Sequence, residues 1–332
     1  MIYRNSEEEM TGGFETGILK WVEVEDELDH HRLHHDPVMS LDLNLAPIFQ
    51  ESQIHPVGSV DGLLCLWQLG KGKDNTYICN PITREYMILP RQQYYIERDS
   101  TSVYCFGVSS LTREYKVIRI FQKLIPPDFI STFQVILSQS EAEVYTLGTG
   151  QWRSLGHVPY WISTCSGPYL NGHAHWTLVG NDFPEKICAF DFDKETFELF
   201  PSPPYEAIEE SFGGTLGVLK GCLCRCDTYD SNMTVWVMKE YGIKNSWHKE
   251  LVIKYIIKPD FDMLGLEPNF LIEGFKDGTF LMANNESNLI VYCPRRKTVV
   301  DREVFGGYFN GLPYRPSFHR LHNFKNERVH VF

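Results

Sequence analysis

The chain has 332 residues, of which 43% are hydrophobic and 14% aromatic, so it can bury a core as one large domain or two. Its formal charge of −12 argues against nucleic acid or an anionic membrane surface as a partner, because polyanions attract basic surfaces. No stretch reaches the roughly eighteen apolar residues of a membrane span, and the acidic start has no signal-peptide pattern. We therefore predict an intracellular protein of the cytoplasm or nucleus.

Cysteine usage agrees with a reducing compartment. The chain has nine cysteines, an odd number, and several lie in apolar segments, as Cys65, Cys79 and Cys188 do. This pattern predicts reduced, buried thiols rather than a disulfide framework.

Residues 1–50 are acidic and weakly patterned, although 18–24 and 38–45 alternate as strands do. The first clear unit follows. Asp61-Gly62 predicts a type I′ hairpin turn, and the apolar run 63–67 after it predicts a strand covered on both faces. Within this unit Gly58 and Gly62 are interpreted as structural turn residues.

The same unit continues through two more strands. Residues 71–75 are predicted to form a polar turn, 76–79 the second strand and 85–89 the third. Asn80-Pro81 joins the last two, since an asparagine side chain caps turns and proline presets φ.

Four-strand units then repeat about every fifty residues, without a long amphipathic helix between them. Apolar strands begin near Leu63, Tyr115, His173, Cys222 and Thr279, and four of these five are preceded by a turn glycine, at Gly62, Gly172, Gly221 and Gly278. This pattern predicts an all-β, β-propeller-like fold with five four-stranded blades, the alternative being two packed β-sandwiches.

The chain ends supply further strands. Segments 18–24 and 38–45, together with 318–332, could build a sixth composite blade that closes the ring and leaves no open edge. We accordingly divide the chain into an acidic N-terminal segment, 1–50, whose strands could join the last blade, a propeller-like domain, 51–305, and a closing C-terminal segment, 306–332.

An ordered set of short motifs carries a family resemblance. The motifs are Gly58-Ser59, Gly62-Leu63-Leu64, Asn80-Pro81, Thr83-Arg84-Glu85, Leu89-Pro90, Phe106-Gly107, Asn171-Gly172 with His175-Trp176, and Val235-Trp236 with Ser246-Trp247. In this order they resemble the plant F-box-associated domain, the C-terminal half of many plant F-box proteins.

The resemblance implies a substrate-recognition module of a Skp1-cullin-F-box (SCF) ubiquitin ligase, which binds the proteins to be ubiquitinated and has no catalytic residues or cofactor of its own. Residues 1–50 lack the features of an F-box. Binding of a Skp1-type adaptor is therefore expected only if an F-box is supplied or present in a longer product. The alternatives are a free-standing binding module that competes with full-length relatives, and a propeller enzyme that acts on a carbohydrate or small molecule.

Candidate chemical sites are few. His30, His31, His34 and His35 have the i, i+4 spacing of metal ligands on a helix, but no helix is evident there and a solvated loop is the favoured interpretation. Cys222, Cys224 and Cys226 alternate, which on a strand directs three thiols to one face, and buried packing explains them better than metal binding. No phosphate-binding loop or hydrolase motif is present, so we predict no metal, cofactor or catalytic site.

Segments that join blades are the remaining candidates. Residues 92–100, 157–164 and 205–212 combine aromatic and charged side chains, the composition of interface anchors. The predicted partner-binding residues are Tyr94, Tyr95, Arg98, Tyr160, Trp161, Tyr205 and Phe212. The alternative is that such aromatic residues fold back and cap the core.

Overall fold

The computed structural model describes residues 2–5, 18–24, 33–35, 53–70, 73–91, 100–124, 137–163, 167–178, 186–204, 212–229, 232–254, 270–274, 278–284, 288–304 and 309–331. The regular structure of these ranges is strand, apart from two short 3-10 turns at Lys244–Ser246 and Leu321–Asn323. The prediction of an all-β fold is confirmed. Within the same ranges, no helix has the length and apolar character needed to cross a membrane.

The strands in chain order are β1 (Ile2–Asn5), β2 (Ile18–Val24), β3 (Leu33–His35), β4 (Gln53–Val60), β5 (Leu63–Gly70), β6 (Lys73–Asn80), β7 (Glu85–Ile88), β8 (Ser100–Val108), β9 (Tyr115–Leu124), β10 (Leu137–Thr146), β11 (Trp152–His157), β12 (Tyr169–Leu170), β13 (His173–Thr177), β14 (Ile187–Asp191), β15 (Thr196–Phe200), β16 (Phe212–Leu219), β17 (Cys222–Tyr229), β18 (Asn232–Met238), β19 (Trp247–Lys254), β20 (Phe270–Gly274), β21 (Phe280–Asn284), β22 (Asn288–Cys293), β23 (Thr298–Val304), β24 (Phe309–Leu312) and β25 (Val329–Val331).

Five sheets are built from four consecutive antiparallel strands each. They are β4–β7, β8–β11, β12–β15, β16–β19 and β20–β23, which we call blades 1 to 5. The first strands of neighbouring blades contact each other, as β4 does with β8 and β16 with β20. This confirms the predicted propeller-like arrangement of repeated blades.

A sixth sheet joins the two ends of the chain. Its strand order is β24-β1-β2-β3, and Ile2 pairs with Leu312 on one side and with Trp21 on the other. We call this sheet blade 6. It confirms the prediction that N-terminal and C-terminal strands share a composite blade, and β24 contacts β4 of blade 1.

The predicted composition of that blade was partly wrong. Residues 329–331 do not join blade 6 but form β25, which pairs with β7 in blade 1, with Val329 opposite Met87. The physical reason is that β7 would otherwise be an open outer edge with unpaired backbone groups, which β25 covers. The predicted strand at 38–45 lies outside the described residues, and the division of the chain at 50 and 305 stays a prediction.

Blade 1 follows the expected turn chemistry. Asp61 and Gly62 have φ of 50° and 79°, as a type I′ turn requires, and Leu63 to Leu66 are almost fully buried. Asn80 Oδ1 accepts a hydrogen bond of 2.9 Å from the backbone N–H of Ile82, which confirms the capped turn at Asn80-Pro81.

Two interpretations in blade 1 need correction. The predicted polar turn at 71–75 ends too late, because β6 already begins at Lys73. Asn75 is buried there and donates hydrogen bonds of 3.0 Å to Gln68 Oε1 and Tyr77 Oη. Gly58 is not a turn residue: it lies inside β4, next to an irregularity in its pairing with β5, and faces Phe106 of blade 2.

Similar turns recur in other blades. Asn171-Gly172 and Lys220-Gly221 have paired positive φ values like those of Asp61-Gly62, and Gly278 has φ of 92°. The expected hairpins at Gly172 and Gly221 are therefore confirmed.

Indole side chains link the outer strands of neighbouring blades. Trp152 Nε1, at the start of β11, donates a 2.9 Å hydrogen bond to the carbonyl of Pro90 after β7. Trp247 Nε1, at the start of β19, donates an equivalent 2.9 Å bond to Pro201 after β15. Each bond satisfies the polar end of a large aromatic side chain and fixes one blade against the preceding one.

Every blade has two ends, and these define two faces of the molecule. We call the face that carries the hairpins β4–β5 and β6–β7, and their counterparts in the other blades, the turn face. Residues 313–328, which we call the strap, cross the turn face of blades 1 and 2. The Ser317 hydroxyl donates to the Asp61 carbonyl at 2.6 Å, and Asn326 Nδ2 donates to the Gly148 carbonyl at 3.0 Å.

We expect Gly62→Ala to destabilise the fold more than Gly221→Ala. Both glycines have φ near +79°, so both changes cost about 1 to 2 kcal/mol for placing an alanine in the left-handed region. Only at Gly62 does the added Cβ also collide with Ser317 of the strap, whereas nothing lies within 4 Å of the corresponding atom at Gly221.

Urea unfolding of the two variants measures this difference. Equal losses of unfolding free energy would mean that the strap does not pack on the Asp61-Gly62 turn.

Candidate functional site

The predicted partner-binding residues are only partly described by the structure. Tyr94, Tyr95, Arg98 and Tyr205 lie outside the described residues, and of Phe212 only the backbone at the start of β16 is described. Tyr160 is half-buried and packs on the apolar cluster shared by blades 2 and 3, where burial raises its pKa. Trp161 is half-buried. A role of these seven residues in partner binding stays a prediction.

The histidines considered as metal ligands are only partly described by the structure. Among the residues that the structure describes, no three His, Cys, Asp or Glu side chains are grouped so as to hold a metal ion. His34 and His35 belong to β3 rather than to the solvated loop that we expected, because β3 pairs with β2. His30 and His31 lie outside the described residues.

The cysteine interpretation agrees with the structure. Cys224 and Cys226 are buried in β17 and Cys222 is half-buried beside them; the neighbouring Cys226 thiol and burial raise the pKa of Cys224. All eight cysteines in the described ranges are free thiols, and burial raises the pKa of Cys79 to about 12. Such thiols are packing groups rather than nucleophiles.

A histidine cluster between blades 3 and 4 also has internal partners. His175 is fully buried, and burial lowers its pKa to about 3. Its Nε2 lies 2.8 Å from the Tyr241 hydroxyl, and its Nδ1 lies 3.3 Å from the Pro168 carbonyl. Nearby, the Asp191 carboxylate accepts backbone hydrogen bonds from Asp193 and Lys194. These contacts stabilise the junction of the two blades, and they do not arrange the named side chains for a chemical reaction.

The strap is fixed by buried polar groups of blade 1. Asn80 is fully buried, and its Nδ2 donates to the carbonyls of Ser317 at 3.0 Å and His319 at 2.6 Å. The buried carboxylate of Glu85 accepts hydrogen bonds from the backbone N–H of Leu321 at 2.7 Å and from His322 at 2.9 Å. Burial opposes ionisation of Glu85, but these bonds outweigh it and lower its pKa.

Blade 2 holds the strap as well. Glu327 accepts hydrogen bonds of 2.7 Å from the Tyr145 hydroxyl and from the backbone N–H of Gly148. Phe324 packs edge-on against Tyr115, and the ring of His319 stacks on Phe324. The strap is therefore a fixed part of the turn face.

The turn face has the opposite charge to the chain as a whole. In its described turns and in the strap, thirteen Lys and Arg residues stand against six Asp and Glu residues, although the net charge of the protein is −12. The cations, all exposed, are Arg84, Arg113, Lys194, Lys220, Lys239, Lys244, Arg295, Arg296, Lys297, Arg315, Arg320, Lys325 and Arg328. Residues 25–32, which hold four acids and one arginine, lie outside the described residues and are not part of this sum.

Three of the six acids of this face, Asp193, Glu195 and Glu327, are partly buried and engaged within the protein. Asp193 accepts from the Ser109 hydroxyl and the Leu111 backbone, and Glu195 pairs with Lys116 and Arg153. Because these carboxylates are engaged within the protein, the groups left facing solvent are mainly cationic.

Three large apolar side chains are exposed on the same face. Phe318 of the strap is 85% exposed, Leu111 in the β8–β9 turn is 81% exposed, and Ile243 in the β18–β19 turn is 51% exposed. An exposed aromatic side chain with arginines nearby in the strap has the composition of an interaction surface. The sequence motifs did not indicate this surface, although the run Arg-Pro-Ser-Phe-His-Arg at 315–320 is a readable signal for it.

Comparison with known proteins agrees with this architecture. The sequence model of the F-box associated beta propeller domain matches residues 24–318. The chain belongs to this family, as the motifs in blades 1 to 4 indicated.

The curated relatives are plant proteins. The Arabidopsis thaliana F-box protein At3g07870 is 30% identical over 297 residues, which cover 83% of this chain and 68% of the relative. The F-box/kelch-repeat protein At3g23880 is 30% identical over 59% of this chain, and the F-box protein CPR1 is 29% identical over 59%. The chain spans about half the length of these last two relatives.

We expect Glu85→Gln to lower stability by about 1 to 2 kcal/mol at neutral pH, because the buried carboxylate loses charge-assisted hydrogen bonds to the strap. The folded-state pKa of Glu85 lies below its unfolded value, so its contribution is complete above about pH 4.3 and is lost as the pH falls through the folded-state value. The gap between wild type and variant should therefore close in acid.

Urea unfolding at a series of pH values tests this. Glu114→Gln is the matched control. Glu114 is exposed, and its ion pair with Lys116 at 3.7 Å contributes little to stability. A gap of constant size down to acid pH would contradict the role given to Glu85.

Proposed function

We propose that this chain is the substrate-recognition module of an SCF-type ubiquitin ligase, which binds target proteins and contributes no chemistry of its own. The observation that carries the proposal is the family match over residues 24–318. The names of the relatives support it, because they are F-box proteins.

The geometry agrees with a binding role. The two chain ends share blade 6, and the strap holds blades 1 and 2 together, so that exposed groups are presented on a fixed scaffold. Pre-organised surfaces lose less conformational entropy when they bind a partner. The partners in this proposal are target proteins and, through an F-box in the same assembly, a Skp1-type adaptor. The compartment is the cytoplasm or nucleus.

Adaptor binding is tested by comparing two purified forms. One is the chain alone, and the other is the chain with the F-box segment of the Arabidopsis relative At3g07870 fused in front. We expect only the fusion to co-purify with a plant Skp1-type adaptor. Adaptor binding by the chain alone would contradict the assignment of the adaptor site to an F-box.

The receptor role itself is tested in plant cells. Proximity labelling by the fusion should identify proteins whose abundance rises when the proteasome is inhibited, and falls when the fusion is overproduced. The control is a fusion whose F-box cannot bind the adaptor, which should label the same proteins without lowering their abundance. The receptor role would be contradicted if neither proteasome inhibition nor overproduction of the fusion changed the abundance of the labelled proteins.

A further inference from the structure

The exposure of Phe318 is built into the fold. The carbonyls on either side of it, those of Ser317 and His319, both accept hydrogen bonds from the buried Asn80 side chain. The Ser317 hydroxyl is also bound to the Asp61 carbonyl at 2.6 Å. With its backbone held on both sides, Phe318 is presented to solvent at 85% exposure instead of being free to fold back.

Exposed cations lie on the strap and on the turns that hold it. Arg84 lies in the same turn as Asn80, Arg320 follows Phe318 by two residues, and Arg113 reaches to 3.5 Å from the Asp61 carboxylate. Arg315 precedes Phe318 by three residues. We call Phe318 with Arg84, Arg113, Arg315 and Arg320 the Phe318 patch.

Two acids near the patch, Asp61 and Glu85, are engaged within the protein. Asp61 accepts a 2.9 Å hydrogen bond from the Tyr115 hydroxyl and faces Arg113, whereas Glu85 is buried beneath the strap. The accessible charge of the patch is therefore positive on a protein that is negative overall, so an acidic partner gains from the local field while the rest of the surface repels it.

We propose that the Phe318 patch binds an acidic, extended protein segment that places an apolar side chain against Phe318; this rests on the proposed receptor function and names the chemistry of its target. A protein segment fits better than a polyanion such as nucleic acid, because an exposed aromatic anchor with arginines nearby suits mixed acidic and apolar side chains.

The test uses the purified chain without an adaptor, so that its outcome is independent of ligase assembly. The probe is a fluorescein-labelled peptide of glutamates around one central leucine, followed by anisotropy at low salt. A peptide with glutamine in place of every glutamate is the control for charge. We expect binding of the acidic peptide only, and weakening of that binding as salt is added.

Two variants locate the site. Phe318→Ala and the double change Arg84→Glu with Arg320→Glu should each weaken binding about tenfold or more, because an anchor or the local field is lost. Matched controls are Leu199→Ala, which removes an apolar side chain that is 54% exposed on β15, and Arg295→Glu with Arg296→Glu, which makes the same charge change in blade 5. The controls should change affinity by less than about twofold.

Several results would overturn the proposal. One is a dissociation constant above about 1 mM for the acidic peptide. Another is an equal loss of binding in the blade 5 control, which would indicate attraction by net charge alone. A third is tighter binding of oligothymidine or of phosphatidylserine vesicles than of the peptide, which would identify nucleic acid or membrane as the partner. Unchanged circular dichroism melting of each variant ensures that binding, not folding, is compared.

Discussion

Pairing between β1 and β24, the two ends of the chain, is the constraint on which the other features depend. Without this pairing β24 would be a lone strand and β1 an open edge with unpaired backbone groups; Ile2–Asn5 paired with Phe309–Leu312 removes that cost. The same closure directs residues 313–328 across blades 1 and 2, since the chain leaves β24 at the turn face. The strap and the surface that it carries are thus consequences of how the ring is closed.

Local signals predicted a large part of the fold. Strands begin as expected at Leu63, Tyr115, His173 and Cys222, because glycine turns and apolar runs are properties of adjacent residues. The start of β6 was misplaced because Asn75 is polar, and its burial depends on Gln68 and Tyr77. The assignment of β25 failed for a similar reason: a three-residue strand has no pattern of its own, and its partner β7 lies far away in sequence.

The candidate surface, like the fold, was only partly predictable from the sequence. The sequence directed attention to aromatic residues between blades, of which Tyr160 packs on the core. Phe318 was missed because its exposure depends on Asn80. The sequence predicted that Asn80 caps its own turn, but it did not predict that the same side chain also holds the strap. A buried asparagine amide that serves two distant segments cannot be recognised from its neighbours in the chain.

The most direct test of ring closure compares two truncations. One removes residues 309–332, with β24, the strap and β25; the other removes only 329–332, with β25. If closure by β24 and the strap maintains the fold, the first protein should lose its cooperative thermal transition or melt far below the full chain, and hydrogen exchange should become fast at residues 2–5 and 61–66. The second should retain a transition close to that of the full chain. Equal melting temperatures for both truncations would contradict the account.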